Sequence, residues 1–109
     1  MKTGNDFCSM DKFRELLEKS NGGEFELNFT STNEQYMIIR CSDCLTFQRC
    51  DSFRKGSGEV YYKTLDEIFE KGEIDGFVLK DNWQYLYAII IDGTFELDEY
   101  CERFGIELS

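Results

Sequence analysis

Residues 9–19 set Met10, Phe13, Leu16 and Leu17 three and four positions apart, with Asp11, Arg14, Glu15 and Glu18 between them; this spacing predicts an amphipathic helix. Ser9 is its expected N-cap. Asn21-Gly22-Gly23 is the expected stop, because glycine accepts the left-handed conformation that helix ends favour. From residue 24 the period changes to two. Glu24-Phe25-Glu26-Leu27-Asn28-Phe29-Thr30 alternates polar with apolar as a half-buried strand does, and Ser31-Thr32-Asn33-Glu34 reads as a turn. Residues 35–41 return antiparallel, and the run Tyr36-Met37-Ile38-Ile39 predicts a central strand buried on both faces. Residues 45–50 alternate again and join it across Ser42-Asp43, which makes a meander.

Residues 51–58 carry two glycines and two cations without a period and read as an exposed loop. Glu59-Val60-Tyr61-Tyr62 is a short strand. Thr64-Leu65-Asp66-Glu67 has the form of a capping box, Leu65, Ile68 and Phe69 give the following helix an apolar side, and Lys71-Gly72 ends it. In residues 74–85, Phe77-Val78-Leu79 and Trp83 fit a helical turn or a hairpin around Lys80-Asp81-Asn82, and helix or turn is the reading adopted. Residues 85–91 form a buried strand stopped by Asp92-Gly93. A last helix runs from Thr94 or Glu96 to Phe104, with Gly105 as its stop. The 109 residues suit one hydrophobic core, so the expected fold is a single α+β domain. Its antiparallel sheet should hold about four to five strands, packed with two to three short α-helices.

Composition adds exclusions. Ten Phe, six Tyr and one Trp supply a core that needs no staples. The longest apolar run, Leu86-Tyr87-Ala88-Ile89-Ile90-Ile91, has strand length and falls well short of the roughly 20 residues of a membrane span. Met1-Lys2-Thr3-Gly4-Asn5-Asp6 is polar with no apolar leader after it, and the five cysteines are an odd number. Both features lead to the expectation of reduced thiols, a cytoplasmic location and no membrane partner. Histidine is absent, which removes imidazole as base or metal ligand.

Charge is unevenly spread. Residues 1–58 hold nine acids and eight bases, whereas residues 59–109 hold thirteen acids and four bases, so nearly all of the net charge of −10 lies in the second half. Asp66/Glu70 and Asp98/Glu102 are like-charged pairs at i,i+4 on short helices, each unfavourable by a few tenths of a kcal/mol unless a cation compensates. A cationic partner would do so. The candidate binding residues are therefore Asp66, Glu67, Glu70, Glu73, Asp75, Asp98, Glu99 and Glu102, which would repel nucleic acid and attract a basic protein groove. The competing reading is a solubilising face, since carboxylates also favour the first turn of a helix.

Cys41-Ser42-Asp43-Cys44 is a C-x-x-C, with Cys50 as a third candidate zinc thiolate and Cys8 or Cys101 as a fourth. A zinc site normally shows two paired knuckles, so small thiols on adjacent strands are the preferred reading and a zinc-stabilised regulatory domain is the alternative. A thioredoxin-like role fits less well, because that motif opens a helix and this one joins two strands. No phosphate-binding glycine motif and no G-x-S-x-G occurs, and the carboxylates are too numerous for proximity to select a catalytic pair. Neither an enzyme nor a cofactor is expected.

Tyr62-Lys63-Thr64-Leu65-Asp66-Glu67-Ile68-Phe69-Glu70 and Ile74-Asp75-Gly76 resemble small acidic proteins encoded by phages and mobile elements of Gram-positive bacteria. The likeness covers about 15 residues and transfers no site residue. It implies a host-defence antagonist of the anti-CRISPR or anti-restriction kind, which uses its acidic surface to occupy the basic groove of a nuclease or other nucleic-acid-binding effector.

Overall fold

A computed structural model describes residues 1–20, 22–50 and 59–108 of the chain. The loop expected over 51–58, and Asn21 of the first helix stop, lie outside the described residues. A short 3-10 turn, Gly4–Asp6, precedes α1 (Met10–Lys19). Ser9 caps this helix as expected, its hydroxyl accepting from the Lys12 N–H at 3.2 Å. The meander follows as β1 (Gly23–Phe29), β2 (Gln35–Arg40) and β3 (Leu45–Cys50), then β4 (Glu59–Tyr62). Next come α2 (Leu65–Lys71), β5 (Glu73–Ile74), β6 (Phe77–Val78) and α3 (Leu79–Asn82), which runs into a 3-10 turn at Trp83–Tyr85. The described chain closes with β7 (Leu86–Ile91), β8 (Phe95–Glu96) and α4 (Leu97–Phe104).

The α+β class is as expected, with more strands than the sequence pattern separates. Among the described residues one antiparallel sheet has six strands in the order β4-β3-β2-β1-β7-β8, and β5-β6 is a separate two-stranded ribbon. The additional strands come from two Asp-Gly turns. Asp75 and Gly76, and again Asp92 and Gly93, all have positive φ, the condition for the type I′ corner that folds a chain directly back on itself. Asp92-Gly93 therefore turns β7 into β8 rather than only stopping it, and the last helix starts at Leu97. In residues 74–85 the hairpin corner is Asp75-Gly76 rather than Lys80-Asp81-Asn82, and the helical turns come after it.

Strand β2 lies inside the sheet, yet only one of its faces is buried: Tyr36 and Ile38 are covered, while Met37 and Ile39 are half-exposed. The cause is that the helices share one side. Phe13 of α1 meets Phe25 of β1 edge-on at 5.9 Å, and Phe13 and Phe69 of α2 both pack against Trp83. Tyr36 stacks on Phe77 of the β5-β6 ribbon at 3.9 Å, and Tyr100 of α4 packs on Phe95. Phe25, Ile38, Phe47, Ile91 and Phe95 are register partners along one row of that inner face. Trp83 ties the layers together by donating its indole N–H to the Cys8 carbonyl at 3.1 Å.

Candidate functional site

The structure divides the candidate carboxylates into two groups. Asp66, Glu67 and Glu70 lie on α2, with Glu73 and Asp75 on the ribbon beside it, and α2 packs over β3 and β4 at one end of the sheet. Asp98, Glu99 and Glu102 lie on α4, which packs over β7 and β8 at the other end. About four strand spacings separate the two helices, or roughly 19 Å at 4.8 Å per strand. These residues therefore form two patches rather than one face.

Part of each patch is committed within the fold. Arg14 of α1 pairs with Asp66, so the Asp66/Glu70 repulsion is relieved by the protein's own first half. Arg49 of β3 reaches Asp75 at 3.4 Å. Thr64 caps α2 by accepting from the Glu67 N–H at 3.1 Å, the threonine half of the expected box. A reciprocal box forms at α4, where the Glu99 carboxylate accepts from the Glu96 N–H at 3.1 Å. Among the described residues, Glu67, Glu70, Glu73, Asp98 and Glu102 take part in no ion pair.

A third set of carboxylates belongs to the outer sheet face. The pairing register lines up Glu59, Gln48, Met37, Glu26, Ile90 and Glu96 as one row across all six strands. At 4.8 Å per strand this row is roughly 24 Å long, with a carboxylate at each edge and one near the middle. Glu24 is two residues from Glu26 on the same face. Glu59 also accepts a 2.6 Å hydrogen bond from the Tyr61 hydroxyl, and this bond to a carboxylate is the main cause that raises the tyrosine's pKa. The signal for these residues was present in the alternation of residues 24–30, which sends Glu24 and Glu26 to the side opposite Phe25. Dividing the charges by halves of the chain concealed it, because β1 sits between strands from both halves.

The strand geometry does not bring the three candidate zinc thiolates together. Cys41 and Cys44 sit at one end of the β2-β3 hairpin, while Cys50 pairs with Gln35 at the other. Six residues at roughly 3.3 Å each put Cys50 about 20 Å from Cys44. Among the described residues no three Cys, Asp or Glu groups are placed to hold a metal.

Cys8 is buried in the core and Cys101 is half-buried on α4. Burial pushes the Cys8 thiol up to about 11 from 9.0, with Lys12 opposing and Cys101 adding to the rise. Cys8 is 0% exposed. The folded protein keeps this proton while the unfolded chain loses it, so stability present below about pH 9 falls as pH rises towards 11, by about 2–3 kcal/mol. Denaturant titrations across that range should show the decline, and Cys8→Ala should flatten it.

The best-defined cleft, about 410 Å³, lies where α1, the β2-β3 hairpin tip and the start of α2 meet. Arg14, Arg40 and Lys63 line it together with Glu18, Asp43 and Asp66, a balanced set of charges. Among the described residues no helix is long and apolar enough to cross a membrane. No protein-family model, curated protein or solved structure matches the chain significantly.

Proposed function

We propose that this is a non-enzymatic binding protein whose carboxylates dock on a basic groove of a nucleic-acid-handling protein and compete there with phosphates. The observation that carries the reading is the pair of exposed patches on α2 and α4: Glu67, Glu70, Glu73, Asp98 and Glu102 have no ion-pair partner among the described residues. Uncompensated charge of one sign favours a partner of the other and speeds encounter in a salt-dependent way. An inhibitor of the anti-CRISPR or anti-restriction kind is the form of this function that the resemblance of residues 62–70 and 74–76 favours.

The test is capture of partners from bacterial extract on immobilised protein, followed by a salt gradient with polynucleotide as competitor. The expected partner is a basic nucleic-acid-binding protein that DNA or RNA displaces. It should elute before 1 M salt, where the screening length shrinks to about 3 Å. Reversing the charge of Glu67, Glu70, Asp98 and Glu102 together should weaken binding at least about tenfold, mostly through slower association. Retention that is indifferent to salt, or unaffected by the four reversals, excludes this mechanism.

A further inference from the structure

Cys41 and Cys44 flank the corner Ser42-Asp43 between β2 and β3. Arg40 and Leu45 are register partners, and the Cys41 N–H donates to the Cys44 carbonyl at 2.9 Å, so the two cysteines face each other across a two-residue turn. Directly opposed residues of an antiparallel pair have Cα atoms roughly 4.5–5.5 Å apart, inside the roughly 4.4–6.8 Å that a disulfide spans. Cys41 is also among the causes that raise the Cys44 thiol. Cys41 is exposed, whereas Cys8 is enclosed and Cys50 lies at the far end of the hairpin.

We propose that Cys41 and Cys44 form a redox-active dithiol that closes to a disulfide by exchange with a low-molecular-weight disulfide, which makes the hairpin tip a modification site. This inference is independent of the acidic docking reading. The exposed Cys41 thiolate attacks one sulfur of the oxidant, breaking its S–S bond, expelling one thiolate and leaving a mixed disulfide on Cys41. Cys44 then loses its proton and attacks the Cys41 sulfur, expelling the second thiolate. Two protein thiols thereby give two electrons and two protons to the oxidant, which leaves as two thiols. Cys41 is exposed and Cys44 half-buried, which assigns the first attack to Cys41; burial is also the main cause that raises the Cys44 thiol, followed by Cys41 and then Asp43.

The full chain is incubated with oxidised glutathione, quenched with N-ethylmaleimide, and read by intact mass and peptide mapping. The expected product is lighter by two hydrogens before alkylation, links Cys41 to Cys44, keeps the other three of the five thiols alkylatable after denaturation, and reverts with dithiothreitol. Cys44→Ser should instead accumulate a stable glutathione adduct on Cys41, because the resolving thiol is gone. A bond mapped to any other pair, a lasting adduct on Cys41 in the unmodified sequence, or no product at any glutathione redox ratio overturns the proposal.

Discussion

Replacing Phe13 by alanine is expected to lower the unfolding free energy by about 3–5 kcal/mol, the cost of emptying a buried aromatic site. Phe13 is 0% exposed and sits where the helical layer meets the sheet, edge-on to Phe25 and tilted against Trp83 at 5.5 Å. Its loss removes the contact that couples α1 to β1 and leaves Trp83, which carries the bond to the Cys8 carbonyl, without a packing partner on that side. A domain of this size has about 5–15 kcal/mol in total, so the variant should stand close to unfolding. Denaturant titration followed by fluorescence of the single tryptophan measures it, since the reporter itself touches the substituted ring. Tyr61→Ala, at a residue 63% exposed on strand β4, should shift the same curve by no more than about 0.5 kcal/mol.

Gly4→Ala is the second large effect. Gly4 has φ +58, and a Cβ there would lie 2.7 Å from Gln84 Cα and 2.9 Å from its carbonyl oxygen, both backbone atoms that cannot rotate away. The left-handed conformation costs an L-residue about 1–2 kcal/mol. Overlap in a packed region adds about 1–3 kcal/mol. A drop in Tm of about 10–40 °C follows, since 1 kcal/mol moves a domain near 100 residues by about 4–8 °C. Gly93→Ala separates the two contributions: its φ is +71, but nothing lies within 4 Å of the added carbon, so only the conformational part should appear. Equal losses at the two positions would show that the approach of the first turn to Gln84 is unimportant.

The regular parts of the fold were legible because each carried a local cause. Ser9 and Thr64 cap the helices that the apolar spacing outlines, and the period-two segments became β1 and β3 with the expected meander between them. The two-residue strands were not legible, since β5, β6 and β8 are too short to show a period. Their one signal was Asp-Gly, a dipeptide that can end an element or reverse it. The burial of β2 was overstated for a different reason: four apolar residues in a row describe a strand without telling whether a second layer exists to cover its other side.

The candidate site was legible residue by residue and misleading as a surface. Carboxylates close in sequence, on α2 and α4, are carried to opposite ends of the sheet because the strand order puts β1 and β2 between β3 and β7. Arg14 lies 52 residues before Asp66, so no local rule anticipates that pair. For the same reason Cys41 and Cys44 come together while Cys50, six residues further along, does not: a turn brings its flanks together and a strand carries its ends apart.

Among the described residues the sheet ends in β4, four residues long, and β8, only two. A long, flat, uncharged terminal strand is a template on which further chains can pair without limit. Here the termini are brief, and Glu59 and Glu96 set like charges against any copy approaching edge to edge. Growth into fibres is thus opposed at both ends by geometry and by repulsion.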